Sequence, residues 1–111
     1  MRSRVVIAAV AGLALCGSAR AENTTFTILG MGALSCAHWL SDKFMEDVGQ
    51  QWIGGFWSGL NLFSNTDRRV GHAVDIDDIF GEIQKVCTEH PSMTLREATY
   101  RVYKMIEAQH Q

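Results

Sequence analysis

The sequence has one proline and three cysteines in 111 residues, 20% charged side chains, and no apolar run longer than the twelve residues from Val5 to Cys16. Each shortage excludes something. A single proline rules out a collagen-like chain or a proline-rich spacer. The apolar run falls short of the roughly 20 residues that a helix needs to cross a hydrocarbon core. Ten basic residues against twelve acidic ones leave no basic footprint of the kind that nucleic acid or an anionic membrane surface demands. The length admits one small domain and leaves little room for a nucleotide fold or a two-domain cleft. With 47% hydrophobic residues the composition is nevertheless that of an ordinary globular chain.

What is present begins with an export signal. Arg2 and Arg4 precede the apolar run, and Gly17-Ser18-Ala19-Arg20-Ala21 follows it, with small residues at the positions a signal peptidase inspects. Residues 1–21 therefore read as a cleaved signal peptide, which places the mature chain in the periplasm and off the membrane. Leu13-Ala14-Leu15-Cys16 partly matches a lipoprotein signal, but Leu15 is bulky where that pattern wants a small residue. Cleavage after Ala21 leaves seven basic and twelve acidic residues in the remaining 90, a net charge of −5. In strong acid the carboxylates neutralise and the four histidines charge, which takes the side chains to +11 and favours expansion.

The mature chain keeps Cys36 and Cys87, and in an oxidising compartment a lone pair reads as one disulfide. A disulfide sulfur is not a thiolate, so the pair also ceases to be a source of nucleophiles. The competing pairs, Cys36 with His38 and Cys87 with His90, fit no zinc spacing and have no third or fourth ligand around them.

Periodicity predicts helices and no convincing strand. Residues 22–34 are poor in charge and rich in threonine and glycine, and are expected to form a flexible arm ahead of a helical domain at 35–111. Ser35 is a candidate N-cap for a short helix through Trp39 and Leu40. Val48, Trp52, Ile53, Phe56, Leu60 and Phe63 are spaced near four apart and predict one apolar stripe along a helix from about Met45 to Phe63. Gly49, Gly54, Gly55 and Gly59 also fall on it, and the four-residue step from Gly55 to Gly59 lets another backbone approach. A third helix starts at Asp75 or Asp77, shows Ile76, Ile79, Ile83 and Val86 on one face, and stops before Pro91. Thr94-Leu95-Arg96-Glu97 is a capping box for a fourth, with Leu95, Ala98, Val102 and Ile106 aligned. The fold class is therefore all-α, a single-domain bundle of about four short helices stapled by one disulfide.

Candidates for chemistry are weak. Asp75, Asp77 and Asp78 suit a helix start better than a calcium loop, which needs more ligands, a glycine and a terminal glutamate. His38, His72, His90 and His110 are scattered, with no zinc-helix spacing. Ser58 follows Gly55 at one place too far for a nucleophile elbow. No catalytic, cofactor or metal residue is assigned, and no enzyme activity is expected. Trp52, Phe56 and Trp57 remain open between a core role and an apolar partner surface.

The order of signal peptide, Cys36, Trp52-Ile-Gly-Gly-Phe-Trp-Ser-Gly-Leu-Asn61, Ala73-Val-Asp-Ile-Asp-Asp-Ile79, Cys87 and Pro91 resembles the HdeA/HdeB-type acid-stress chaperones and the related type VI secretion amidase immunity proteins. The resemblance covers nearly the whole mature chain. It implies an all-helical fold around one cystine, Cys36 with Cys87, and a homodimer or partner surface on the central helix at Trp52, Ile53, Gly55, Phe56, Trp57, Gly59 and Leu60. For the chaperone branch it implies that protonation of Asp75, Asp77, Asp78 and Glu82 loosens the packing and exposes the apolar helix to unfolding client proteins. For the immunity branch, to which Gly55-Phe-Trp-Ser-Gly59 is more similar, it implies one tightly bound toxin enzyme as the protein partner.

Overall fold

The computed structural model describes residues 25–109. The expected signal peptide at 1–21, with Cys16, and the last histidine, His110, lie outside the described residues.

Four polar side chains open four helices. Ser35 accepts the His38 N–H at 3.1 Å and starts α1, Cys36–Trp39. Asp42 accepts the Met45 N–H at 2.8 Å and starts α2, Lys43–Leu62. Asp75 accepts the Asp77 N–H at 2.8 Å and starts α3, Ile76–Glu89. Thr94 accepts the Glu97 N–H at 3.2 Å and starts α4, Leu95–Gln109. Each cap satisfies an N–H group that the first turn leaves without an intrahelical acceptor, a contribution of about 1 kcal/mol per helix. The central helix begins two residues before the expected Met45, because Asp42 supplies the cap.

The helices form a compact all-α domain. Trp39, Ile53, Ile83, Leu95 and Val102 are its fully buried large side chains, one or more from each helix. Cys36 and Cys87 are joined by a disulfide, with their Cα atoms 4.9 Å apart and both residues wholly buried. The bond ties the first residue of α1 to the end of α3, and the backbone repeats the tie: Cys36 N–H donates to Met93 O at 2.7 Å and Leu95 N–H to Leu34 O at 2.9 Å. Closing a loop across 51 positions removes unfolded-chain entropy worth about 4 kcal/mol. That addition matters in a domain this small.

In the segment ahead of α1, residues 25–29 have no regular structure and Gly30–Ala33 form a 3-10 turn packed on α2 and α4. Met31 is buried there, and Trp52 Nε1 donates to Leu29 O at 2.8 Å. Gly30 has φ +79°, and a side chain at Gly32 would collide with the Trp52 indole, so glycine is required at both places.

The apolar stripe expected along α2 is broad and graded: each step of four drifts about 40°, so Val48, Trp52, Phe56 and Leu60 spread over about 120° of the helix surface. Ile53 and Trp57 point into the core, whereas Val48 and Phe63 are exposed.

Candidate functional site

Two surfaces of α2 remain after the core is built. The first is its outer face. Phe44, Val48, Gly55, Gly59 and Leu62 lie within about 40° of one line along the helix. Phe44 is 67% exposed and Leu62 59%, and Phe63, 82% exposed, extends the patch past the helix end. A Cβ placed at Gly55 or Gly59 would meet nothing within 4 Å. Among the described residues no other element covers this line; large apolar groups stand at its two ends, with exposed Gln51 and the small residues Gly55 and Gly59 between them.

The second surface is a cavity of about 340 Å³ between α2, the 69–74 loop and the start of α3. Gly54 and Ser58, one turn apart on α2, line one side, with Ile53, Ile76 and Phe80 among the apolar walls. The loop is held by Asn61, whose side chain matches both backbone groups of Val70. Its Nδ2 donates to Val70 O at 3.2 Å, and its Oδ1 accepts the Val70 N–H at 3.1 Å. Trp57 Nε1 donates to the same carbonyl at 2.8 Å, and the Tyr103 hydroxyl donates to Asn61 Oδ1 at 2.9 Å. Gly71, at φ +93°, lets the loop turn away, since a Cβ there would stand 3.1 Å from Trp57 Nε1. Trp57 and Tyr103 pack edge to face, with ring centroids 5.0 Å apart.

The residues expected to form the partner surface are divided by this arrangement. Ile53 and Trp57 are buried in the core of their own chain. Trp52 and Phe56 stack at 4.8 Å on the flank of α2 and are half-buried, as is Leu60. Gly55 and Gly59 remain on the open face.

The carboxylates expected to sense acid sit elsewhere. Asp75, Asp77 and Asp78 are exposed on the first turn of α3, and Glu82 pairs with Lys85 at 3.4 Å. A surface pair of this kind contributes at most about 1 kcal/mol. The buried carboxylate is a different one, Glu107, which accepts from Lys104 Nζ at 2.6 Å. Burial, with Glu107 and Asp67 adding to it, holds the Tyr103 phenol above its ordinary pKa of 10.0.

His72 Nδ1 lies 2.9 Å from Arg69 O. A carbonyl only accepts, so Nδ1 carries the proton in that contact. His38 and His90 lie exposed at other places on the surface. Among the described residues no three His, Cys, Asp or Glu side chains are placed to hold a metal ion, and no helix is long and apolar enough to cross a membrane. The disulfide fits an oxidising compartment.

Sequence reasoning missed Phe44, Leu62, Asn61 and Arg69. Phe44 and Leu62 share a line with Val48 and Gly55, a signal that becomes visible once the helix is begun at Asp42. Asn61 and Arg69 carry no sequence pattern of their own, because their roles depend on where the loop returns. No protein-family model, curated protein or solved structure matches the chain.

Proposed function

We propose that this chain is a non-enzymatic protein-binding protein of an oxidising compartment that docks a protein partner in the folded state through the outer face of α2. The observation that carries this reading is the uncovered line Phe44, Val48, Gly55, Gly59 and Leu62. Large apolar side chains left exposed along one helix line are costly in water and mark interaction sites. The glycines let a partner's backbone come close, and the disulfide stabilises the domain that presents the face. The reading agrees with the immunity type of the resemblance, in which one enzyme is bound by a folded dimer.

The test is the mass of the oxidised protein at neutral pH, together with capture of a stoichiometric partner from its own cells, for wild type and Gly55→Arg. The expected result is a second copy or a single foreign protein bound by wild type and lost in the variant, with the near-ultraviolet circular dichroism of the variant unchanged. A monomer that captures nothing stoichiometric overturns the proposal.

An acid-activated chaperone is the second reading. It is favoured by the concentration of Asp75, Asp77 and Asp78 on the first turn of the helix that carries Ile79 and Ile83 into the core. Protonating them removes a cap and the favourable interaction with the helix dipole, and loosens α3. This reading expects loss of the near-ultraviolet signal between pH 7 and pH 2 with helix retained, and protection of an unrelated client from aggregation. A chain that stays rigid throughout sinks it.

A further inference from the structure

The cavity beside α2 is a different surface from the docking face, and it is built as a small-molecule site. Its volume of about 340 Å³ falls within the range of about 300–1,000 Å³ common for such sites. It is preformed, because Asn61 and Trp57 fix the Val70 backbone with three hydrogen bonds and Gly71 completes the turn. Its openness toward α2 depends on small residues: a Cβ at Gly54 would meet nothing within 4 Å, and Ser58 adds only a hydroxyl.

The lining selects a class of ligand. Ile53, Val74, Ile76, Ile79 and Phe80 offer apolar wall, while the amide of Asn61 is already engaged by Val70 and Tyr103. Sugars and nucleotides, which need several free polar partners, are poorly served. Among the described residues the only charged or titratable ones in the lining are Arg69 and His72, both exposed at the cavity edge. Arg69 forms no side-chain hydrogen bond or ion pair among the described residues; its hydrogen bonds, to Asp67 and His72, are made by its backbone. Asp67 and Asp75, the carboxylates on either side of the loop, do not line the cavity, and each accepts a backbone N–H, from Arg69 and Asp77 respectively. An unengaged guanidinium beside an apolar slot complements an anion with an apolar body, because the planar fork takes a carboxylate through two parallel hydrogen bonds.

We propose that this cavity binds a small amphipathic carboxylate, with its aliphatic or aryl body between Gly54 and Phe80 and its carboxylate on Arg69, assisted by His72. The site is independent of whether the outer face of α2 docks a protein.

Decanoate is the probe, kept below its micelle concentration, with decanol as the uncharged control. Binding to the oxidised protein is followed through the indole N–H resonance of Trp57 and the amide of Gly71. Saturable one-to-one shifts are expected with decanoate, and about tenfold weaker binding of decanol. Arg69→Gln lowers decanoate affinity to the level of decanol without changing decanol binding. Gly54→Leu fills the slot and abolishes both, and Ser58→Leu does the same should the first variant fold poorly; near-ultraviolet circular dichroism checks the fold of each. The proposal is overturned if wild type shows no saturable shift, if the slot-filling variants bind as wild type does, or if the shifts fall on Phe44, Val48 and Leu62 instead.

Discussion

The indole of Trp39 occupies the space where a side chain at Gly49 would stand, and its Nε1 donates to Glu46 O at 3.1 Å, one turn earlier on the same helix. This close approach seats α1 on α2. Gly49→Ala is therefore expected to cost about 2 kcal/mol through overpacking, despite alanine's better helix propensity. Gly55→Ala, on the open face of the same helix, is expected to stabilise by up to about 1 kcal/mol. Urea unfolding of the two variants side by side checks both signs, and equal effects would refute the distinction.

Reduction of Cys36–Cys87 is expected to remove about 4 kcal/mol, a large part of the stability of so small a domain. Because both cysteines are wholly buried, reductant reaches the bond only through opening of the structure. The thermal midpoint of the reduced chain, or of Cys36→Ala with Cys87→Ala, measures the loss.

Asn61→Ala leaves both backbone groups of Val70 and the Tyr103 hydroxyl with fewer partners, at a cost of about 2–3 kcal/mol. The effect should be local as well as global, with faster hydrogen exchange at the Val70 amide than at the amides of α4. Uniform destabilisation without a local change at Val70 would contradict the clamp.

Alkaline pH should destabilise the fold through Tyr103. Its folded-state pKa is raised, so its contribution is complete below the unfolded value near 10 and is lost as pH rises through the folded value. The folded phenol holds its proton in that window while the unfolded chain has released it. Tyr103→Phe is expected to flatten the decline of the thermal midpoint above about pH 10, and an unchanged slope would remove this assignment.

The helices were legible because their signals are local. Ser35, Asp75 and the Thr94–Glu97 box act within one turn of themselves, and the faces of α3 and α4 repeat at the helical period. The α2 stripe is graded for a physical reason: spacing of four is not the helical period, so the row spreads over about 120° of the helix, from exposed Val48 to the buried side at Ile53. Among the α2 glycines the sequence offered no distinction, yet Gly49 makes room for Trp39 whereas Gly54, Gly55 and Gly59 border open space.

By itself, then, the sequence determined an all-helical class, the approximate helix order and Cys36–Cys87 as the expected cystine, since caps, periodicity and a cysteine pair outside the expected signal peptide need no knowledge of distant neighbours. Only the tertiary structure decided which apolar residues of α2 face inward and which stay uncovered, and that Asn61, Trp57 and Tyr103 lock the Val70 loop beside an open slot. Those outcomes depend on contacts across 13 positions for Trp57 with Val70 and 42 for Asn61 with Tyr103, and such separations leave no periodic trace in a chain read one turn at a time.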